Sequence, residues 1–206
     1  NMKLASETKS GELVIDAKNI NKTFAEKCVV NEFSIKIKRG DRIGIVGPNG
    51  VGKTTLLKIL LGEVQPDFGK IKLGTNLIIA KFDQMREQLN LENSLLQNLI
   101  DDPDIKSAGA AGQIIVRGKP KHVAGYLKGF LFSEFQLRSP VKSLSGGEKA
   151  RLLLAKIMVK ESNLLVLDEP TNDLDLETLD LLQEIIADYP GTVLLVSHDR
   201  DFLSRT

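Results

Sequence analysis

Hydrophobic residues recur with two different periods along this chain. Between Phe33 and Ile37 they alternate with polar residues, and Leu13–Ile15 begins a similar stretch; a period of two predicts strands with one buried face. Three other stretches are continuously apolar: Ile43–Val46, Leu164–Leu167 and Val193–Val196. Such runs predict strands that are buried on both faces, as in a parallel sheet.

Candidate helices separate these buried strands. Thr55–Leu61 ends at Gly62, Leu152–Met158 is apolar throughout most of its length, and Leu176–Tyr189 carries an apolar stripe. Because strands that alternate with helices favour a parallel sheet with helices on its faces, the pattern predicts an α/β fold. The ligand of such a fold lies at the carboxyl ends of the strands.

One β region departs from this alternation. After a turn at Pro66–Gly69, Ile71 and Leu73 alternate with lysines, and Gly74–Asn76 turns the chain into the apolar run Leu77–Ala80. This pattern predicts an antiparallel piece beside the main sheet.

From about residue 85 to residue 142, apolar residues recur at helical spacing, which predicts an inserted helical subdomain. The small residues at 107–112 indicate a mobile loop. His122 lies beside two lysines with no second ligand-type residue nearby, so a helix start is favoured there over a metal site. The clearest helical spacing is shown by Val123, Tyr126, Leu127, Phe130 and Leu131.

The stretch GPNGVGKT, Gly47–Thr54, joins the first buried strand to the helix after it. Its three glycines let the backbone turn tightly and present N–H groups inward, where the positive end of the helix also points. Lys53 adds a full positive charge, and the Thr54 hydroxyl is placed to ligate the Mg²⁺ that accompanies a nucleoside triphosphate. The pattern predicts a triphosphate site; a turn that matches GxxxxGK[ST] by accident is the weaker alternative.

Two later segments carry further polar signals. In LSGGE, Ser145 and Glu148 have the spacing of a capping box, but Gly146 and Gly147 cost a first helical turn about 1 kcal/mol each relative to Ala. Another group is therefore expected to approach the backbone there. The strand LLVLDE then ends in two carboxylates, and Ser-His-Asp follows the last buried strand directly.

Composition permits this fold and narrows the class of protein. With 206 residues and 42% hydrophobic content, the chain can bury one sizeable core. Lys and Arg (28) nearly balance Asp and Glu (27), so net charge does not indicate nucleic acid or an anionic membrane as an obligatory partner. The sequence shows neither a membrane-span pattern nor a signal-peptide pattern, which predicts a cytoplasmic protein without membrane insertion. The single Cys28 excludes an intrachain disulfide and is expected to be a small core residue.

Together these motifs resemble the nucleotide-binding domain of ATP-binding cassette (ABC) proteins over nearly the whole chain. Five motifs follow that family's order: the phosphate loop, a glutamine loop at Gln84, the LSGGE signature, the strand ending in Glu169, and a switch histidine at His198. The resemblance implies an α/β P-loop NTPase fold, an ABC-type cassette with a mainly parallel core sheet. An antiparallel β subdomain and an inserted helical signature subdomain, at about residues 86–160, would complete it.

The resemblance also implies a role for each motif. Glu169 would be the general base that orients the attacking water, and His198 and Gln84 would complete the catalytic set. Without the other motifs, Gln84 and His198 would be ordinary polar loop residues. Mg²⁺ would be held by Thr54, Gln84 and Asp168. ATP would be bound by Phe24 and by Gly47, Pro48, Asn49, Gly50, Val51, Gly52, Lys53, Thr54 and Thr55.

Phe24 occupies the place of the family's adenine-stacking aromatic, which is usually Tyr. A Phe can stack but lacks the hydroxyl's hydrogen bond; the alternative is a core aromatic of the β subdomain. In the family two cassettes face each other head to tail, so Ser145, Gly146 and Gly147 are expected to cap the γ-phosphate bound by a second cassette. That cassette would come from the same full-length chain or from a homodimer, and the ATPase would need it for full activity.

The sequence SLSGGEKARLLLAKIMVKESNLLVLDEPTNDLD is similar to the non-transporter ABC-F proteins, and Gly118–Phe132 resembles their Uup subfamily, in the second of two cassettes. ABC-F proteins act on ribosomes or in nucleic-acid transactions, with ribosome or DNA as partner. No segment with that binding function is recognisable in this sequence. The alternatives are the ATP-binding subunit of a membrane transporter and a binding-only switch; the presence of Asp168, Glu169 and His198 argues against the switch.

Residues 1–11 are polar and aperiodic, and they are expected to be a linker end or non-native residues. Residues 12–206 are then expected to form a single ABC ATP-binding domain. The sequence stops eight residues beyond His198, before the strands that usually finish this fold, so a C-terminally truncated fragment is expected.

Overall fold

A computed structural model of the protein describes residues 11–82, 89–172, 174–199 and 202. Its strands are β1 (Leu13–Phe24), β2 (Lys27–Lys38), β3 (Arg42–Val46), β4 (Phe68–Leu73), β5 (Ile79–Phe82), β6 (Gln113–Val116), β7 (Lys119–His122), β8 (Leu164–Asp168) and β9 (Thr192–Ser197). Its α-helices are α1 (Lys53–Leu60), α2 (Leu95–Ile100), α3 (Val123–Lys128), α4 (Glu134–Leu137), α5 (Gly146–Val159) and α6 (Leu176–Asp188).

The central sheet is parallel, with strand order β3-β9-β8-β5. Its register pairs Val46 with Ser197 and Asp168 with Val196, so these strands end at one edge of the sheet. The predicted α/β core, with polar residues gathered where the parallel strands end, is confirmed.

Strand β5 belongs to this parallel sheet, where it pairs with β8. The prediction that the apolar run 77–80 forms part of an antiparallel piece is therefore wrong. The pairing buries Ala80 and Phe82 in the core beside α5, and this burial of apolar surface places the strand in the central sheet.

Successive residues of β8 face two different hydrophobic cores, which explains why this strand is apolar throughout. Leu164 and Val166 pack in a cluster with α1 and the antiparallel sheet, whereas Leu165 and Leu167 pack in a cluster with α5 and α6. All four side chains are fully buried. The central sheet is thus covered on both faces, as the continuous apolar run predicts.

The second sheet is antiparallel, with strand order β2-β1-β4, and it contributes Val14, Ile15 and Ile37 to the core that contains α1. The strands predicted from period two are confirmed here. Cys28 is exposed near the start of β2, so the expectation that it is a core residue is wrong. It lies beside the hairpin turn at the solvent-exposed end of the sheet, where successive residues from 23 to 28 are exposed.

The segment between β5 and α5 contains short helices together with a two-stranded hairpin, β6-β7, that the sequence prediction missed. The predicted helix start at His122 is confirmed, because this residue caps α3 and its Nδ1 accepts a hydrogen bond from the Ala124 N–H. Leu131 lies beyond the end of α3, with a left-handed backbone and 47% exposure, so its assignment to the helical stripe is wrong. None of the helices within the described ranges has the length and hydropathy needed to cross a bilayer.

Candidate active site

The phosphate loop connects β3 to α1 and lies where the parallel strands end. Gly52 forms the N-cap of α1 with a φ of 103°, and Gly50 has a φ of 76°. Both values lie in the left-handed region that glycine adopts without steric cost. The two glycines differ in their surroundings: a Cβ at Gly52 would lie 2.1 Å from Val29 Cγ1, whereas a Cβ at Gly50 would meet nothing within 4 Å.

The Lys53 side chain folds back over this loop. Its Nζ donates to the carbonyl oxygens of Gly47 (2.6 Å) and Pro48 (3.0 Å), and it lies 3.0 Å from Glu169 Oε1. The residue is only 8% exposed. The loop thus holds a buried ammonium group, while Pro48, Asn49, Gly50 and Val51 are exposed around it.

Glu169 follows β8 with a left-handed backbone, φ 48°, and its N–H donates to the Val196 carbonyl at 2.8 Å. A non-glycine residue in this region is strained, and such strain is concentrated at functional sites. The turn aims the carboxylate at two partners at once: Oε1 lies beside Lys53, and Oε2 lies 2.8 Å from His198 Nδ1. The His198 N–H also donates to Oε2, at 3.3 Å.

The charge state of this carboxylate follows from those contacts. Burial favours the neutral acid and acts to raise the pKa of Glu169, but the hydrogen bonds from Lys53 and His198 outweigh it, and the pKa lies below its ordinary value. Glu169 is therefore ionised at neutral pH and able to accept a proton from water.

Thr54 and Asp168 bring two oxygen ligands together at the same edge. The Thr54 hydroxyl donates to Asp168 Oδ1 at 3.4 Å, and each residue lies next to a member of the Lys53–Glu169 ion pair. Within the described ranges no three His, Cys, Asp or Glu residues form a metal-binding cluster. One carboxylate and one hydroxyl nevertheless fit Mg²⁺, which keeps several waters and takes its other ligands from substrate phosphates.

The signature segment forms the start of α5. Ser145 Oγ accepts from the Glu148 N–H (3.2 Å), and Glu148 Oε2 accepts from the Ser145 N–H (2.7 Å), which confirms the predicted capping box. Gly146 and Gly147 occupy the first turn, whose N–H groups have no acceptor within an α-helix. Gln136, which was not among the residues predicted for the site, donates from its Nε2 to Glu148 Oε1 at 2.6 Å. The S-x-x-Q spacing from Ser133 is the signal that could have identified it.

Phe24 ends β1 and is 48% exposed, with Lys22 Nζ 5.2 Å from its ring centroid. The alternative that it is a core aromatic is therefore wrong. The hairpin that carries Phe24 also carries Val29, which contacts Gly52 of the phosphate loop. Gln84, assigned to catalysis and to the metal, lies outside the described residues.

Three comparisons identify relatives. The family profile described as ABC transporter matches residues 30–172. The chain is 53% identical, over 99% of its length, to the ATP-binding protein Uup of Caulobacter vibrioides and covers 32% of that protein. It is 37% identical, over 95% of its length, to the energy-dependent translational throttle protein EttA of Haemophilus influenzae and covers 34% of that protein.

Among solved structures, cbiO1 from Clostridium perfringens, part of the ABC transporter complex cbiONQ, superposes with a TM-score of 0.67. It is 26% identical, and the match covers 94% of this chain and 81% of cbiO1. The chain spans about a third of the length of the curated relatives that it matches. With the phosphate loop, the carboxylates of β8 and the signature in one cassette, the chain belongs to the ABC family whose profile it matches, and it is similar over nearly its whole length to Uup and EttA.

Proposed function

We propose that this cassette binds ATP with Mg²⁺ at the phosphate loop and hydrolyses it with Glu169 as general base. The observation that carries the proposal is the position of the Glu169 carboxylate. It is ionised, it follows β8 on a strained turn, and it lies between Lys53 Nζ and His198 Nδ1.

Lys53 provides the first step of the mechanism. Its Nζ is bound by two loop carbonyls and by Glu169, so an entering triphosphate takes the place of the carboxylate as the partner of the ammonium group. Glu169 Oε1 is then released to orient and deprotonate water. His198 keeps its hydrogen bond to Oε2 and holds the carboxylate in place. Little covalent chemistry is required of the protein, since phosphoryl transfer depends mainly on position and charge.

Thr54 and Asp168 would hold Mg²⁺ with their adjacent oxygens. The bound ion neutralises charge on the phosphate oxygens. Phe24, exposed at the end of β1, would stack on the adenine, and the N–H groups of the phosphate loop would surround the phosphates. We assign Gln84 the same metal and catalytic role that the family order implies.

The site needs a second cassette for closure. Gly146 and Gly147 begin α5, and a helix N-terminus attracts phosphate through its N–H groups and its dipole. We assign these glycines and Ser145 to the ATP held by another cassette, supplied by the same full-length chain or by a second copy. The proteins Uup and EttA are about three times as long as this chain, which leaves room for two cassettes.

The process coupled to hydrolysis is proposed to be ribosome-associated or nucleic-acid-associated. Its support is the 37% identity to a relative named a translational throttle protein and the 53% identity to Uup, against 26% to a transporter cassette. Co-sedimentation of the full-length protein with ribosomes, compared with and without ATP, tests this assignment. Recovery with membranes and not with ribosomes would contradict it.

Replacing Glu169 with Gln tests the catalytic proposal. The amide keeps the shape of the side chain but cannot act as a base, so turnover is expected to fall by about 10²–10⁴-fold. ATP affinity is expected to be unchanged or higher, because Lys53 no longer pairs with a carboxylate there. Glu184→Gln, an exposed substitution on α6, is the matched control and should leave both quantities unchanged. Full turnover in Glu169→Gln would refute the role of Glu169.

A further inference from the structure

A hydrogen bond joins the capping box of α4 to the capping box of α5, where the signature begins the helix. In the first, at α4, Gln136 Oε1 accepts from the Ser133 N–H at 2.9 Å and from the Ser133 hydroxyl at 3.0 Å. In the second, at α5, Glu148 Oε2 accepts from the Ser145 N–H. The bond from Gln136 Nε2 to Glu148 Oε1, 2.6 Å long, connects the third residue of one box to the third residue of the other.

These contacts restrict which side chains residue 136 can carry. On one side it must accept hydrogen bonds from Ser133, and on the other it must donate to a carboxylate. An amide does both with one planar group, whereas a carboxylate at this position would place a second negative charge beside Glu148. A lysine or arginine could donate to Glu148 but could not cap α4, since neither side chain is an acceptor.

This bond controls the orientation of the Glu148 carboxylate. Gln136 holds one oxygen, so the other oxygen remains directed at the Ser145 N–H. The bond is charge-assisted and partly buried, conditions under which a hydrogen bond contributes more than a neutral one at the surface. The N-cap geometry of α5, including the direction of the N–H groups of Gly146 and Gly147, therefore depends on a residue of α4.

We propose that Gln136 is a positioning residue for ATP hydrolysis, holding the signature in the geometry that receives the γ-phosphate of the second cassette's ATP. This inference rests on the proposed function of the signature. Gln136 does not touch the nucleotide; it acts through Glu148 and Ser145 on the N-terminus of α5. Its loss should therefore reduce turnover without weakening the binding of ATP to the phosphate loop of the same cassette.

The test is Gln136→Glu in the full-length protein. The variant keeps the acceptor for Ser133 and replaces the donor to Glu148 with a negative charge. We expect kcat for ATP to fall at least about tenfold, the effect of losing one charge-assisted hydrogen bond, while the Kd for ATP at the phosphate loop stays within about twofold of the unmodified protein.

Two further variants separate a positioning role from simple destabilisation. Gln97→Glu makes the same change at the third residue of the capping box of α2, which Ser94 caps, and it should leave kcat unchanged. The exchange Gln136→Glu with Glu148→Gln restores one donor and one acceptor between the helices and keeps an acceptor in each capping box. It should recover most of the lost turnover.

Measurements on Glu169→Gln and Gln136→Glu distinguish failure of the Gln136 proposal from failure of the proposed function. If Glu169→Gln turns over ATP as fast as the unmodified protein, the proposed function fails. If Glu169→Gln is inactive and Gln136→Glu retains full kcat, the positioning role of Gln136 is overturned. It is also overturned if the exchanged pair is no more active than Gln136→Glu, or if Gln97→Glu loses as much activity as Gln136→Glu.

Discussion

The contact between Gly52 and Val29 allows a quantitative test of how the antiparallel sheet supports the phosphate loop. A methyl group at Gly52 would meet Val29 Cγ1 at 2.1 Å, and the backbone there has a φ of 103°. Gly50→Ala is the matched control, because its φ of 76° imposes a similar backbone cost while its Cβ would point into open space.

The expected losses of unfolding free energy follow from the backbone cost at both glycines and from the contact with Val29 at Gly52. Gly50→Ala is expected to lower the free energy of unfolding by about 1–2 kcal/mol, the cost of a left-handed backbone with a side chain. Gly52→Ala adds overpacking of about 1–3 kcal/mol against Val29. A chain of this size loses roughly 2–4 °C of Tm per kcal/mol, so Gly52→Ala should unfold several degrees below Gly50→Ala.

Urea unfolding without nucleotide measures these differences. The single variant Val29→Ala and the double variant Gly52→Ala with Val29→Ala complete a double-mutant cycle. Removing the Val29 methyl groups deletes the closest contact. The double variant should therefore lose less unfolding free energy than the two single variants together, by most of the overpacking cost. Equal destabilisation by Gly50→Ala and Gly52→Ala, with a coupling energy near zero, would refute the reasoning.

The remaining predictions concern the adenine contact and a buried ion pair. Phe24→Ala should weaken ATP affinity about tenfold by removing the stacking surface, while Phe24→Tyr retains it; unchanged affinity of the Ala variant in a nucleotide titration would exclude Phe24 from the site. Asp102→Asn should cost about 3 kcal/mol of unfolding free energy at pH 7, because Lys156 Nζ lies 2.9 Å away and both side chains are nearly buried; the exposed Asp180→Asn is the control. Burial acts to raise the pKa of Asp102, but the hydrogen bonds from Lys156 and from the Asp104 N–H outweigh it and lower the pKa below 3.8. The Asp102–Lys156 pair therefore stabilises the folded protein fully above pH 3.8, and this stabilisation is lost as the pH falls through the lowered pKa. The difference between Asp102→Asn and the unmodified protein in chemical unfolding should accordingly shrink below about pH 4, and a difference independent of pH would contradict this account.

The central sheet and most of the site were predictable because local sequence determines them. Strand β8 is apolar at every position between its two cores, and its burial follows directly from that run. Glycines, Lys53 and Thr54 at fixed spacing indicate a phosphate loop without knowledge of any distant contact. The capping box at Ser145 is equally local, and the structure confirms it.

The error over β5 arose because a distant part of the chain decides where this strand pairs. β5 follows an antiparallel strand and a turn, and only its pairing with β8, about 85 residues away, places it in the parallel sheet. The hairpin β6-β7 lies inside a stretch with helical spacing, and its pairing overrides that local pattern. No periodicity could have shown that Val29 touches Gly52 or that Lys53 pairs with Glu169, because these contacts join separate elements.

The strand order also fixes when the nucleotide site can exist during synthesis. β3 carries the phosphate loop, yet its only partner in the described sheet is β9, and Arg42 pairs with Val193 about 150 residues later. At roughly 5–20 residues per second, a ribosome takes about 8–30 s to make that interval. A nascent chain that already contains the whole phosphate loop and signature therefore has no completed sheet edge on which to hold ATP. Nucleotide is therefore expected to stabilise this cassette only after β9 has emerged, so binding would report that β3 has gained its partner strand.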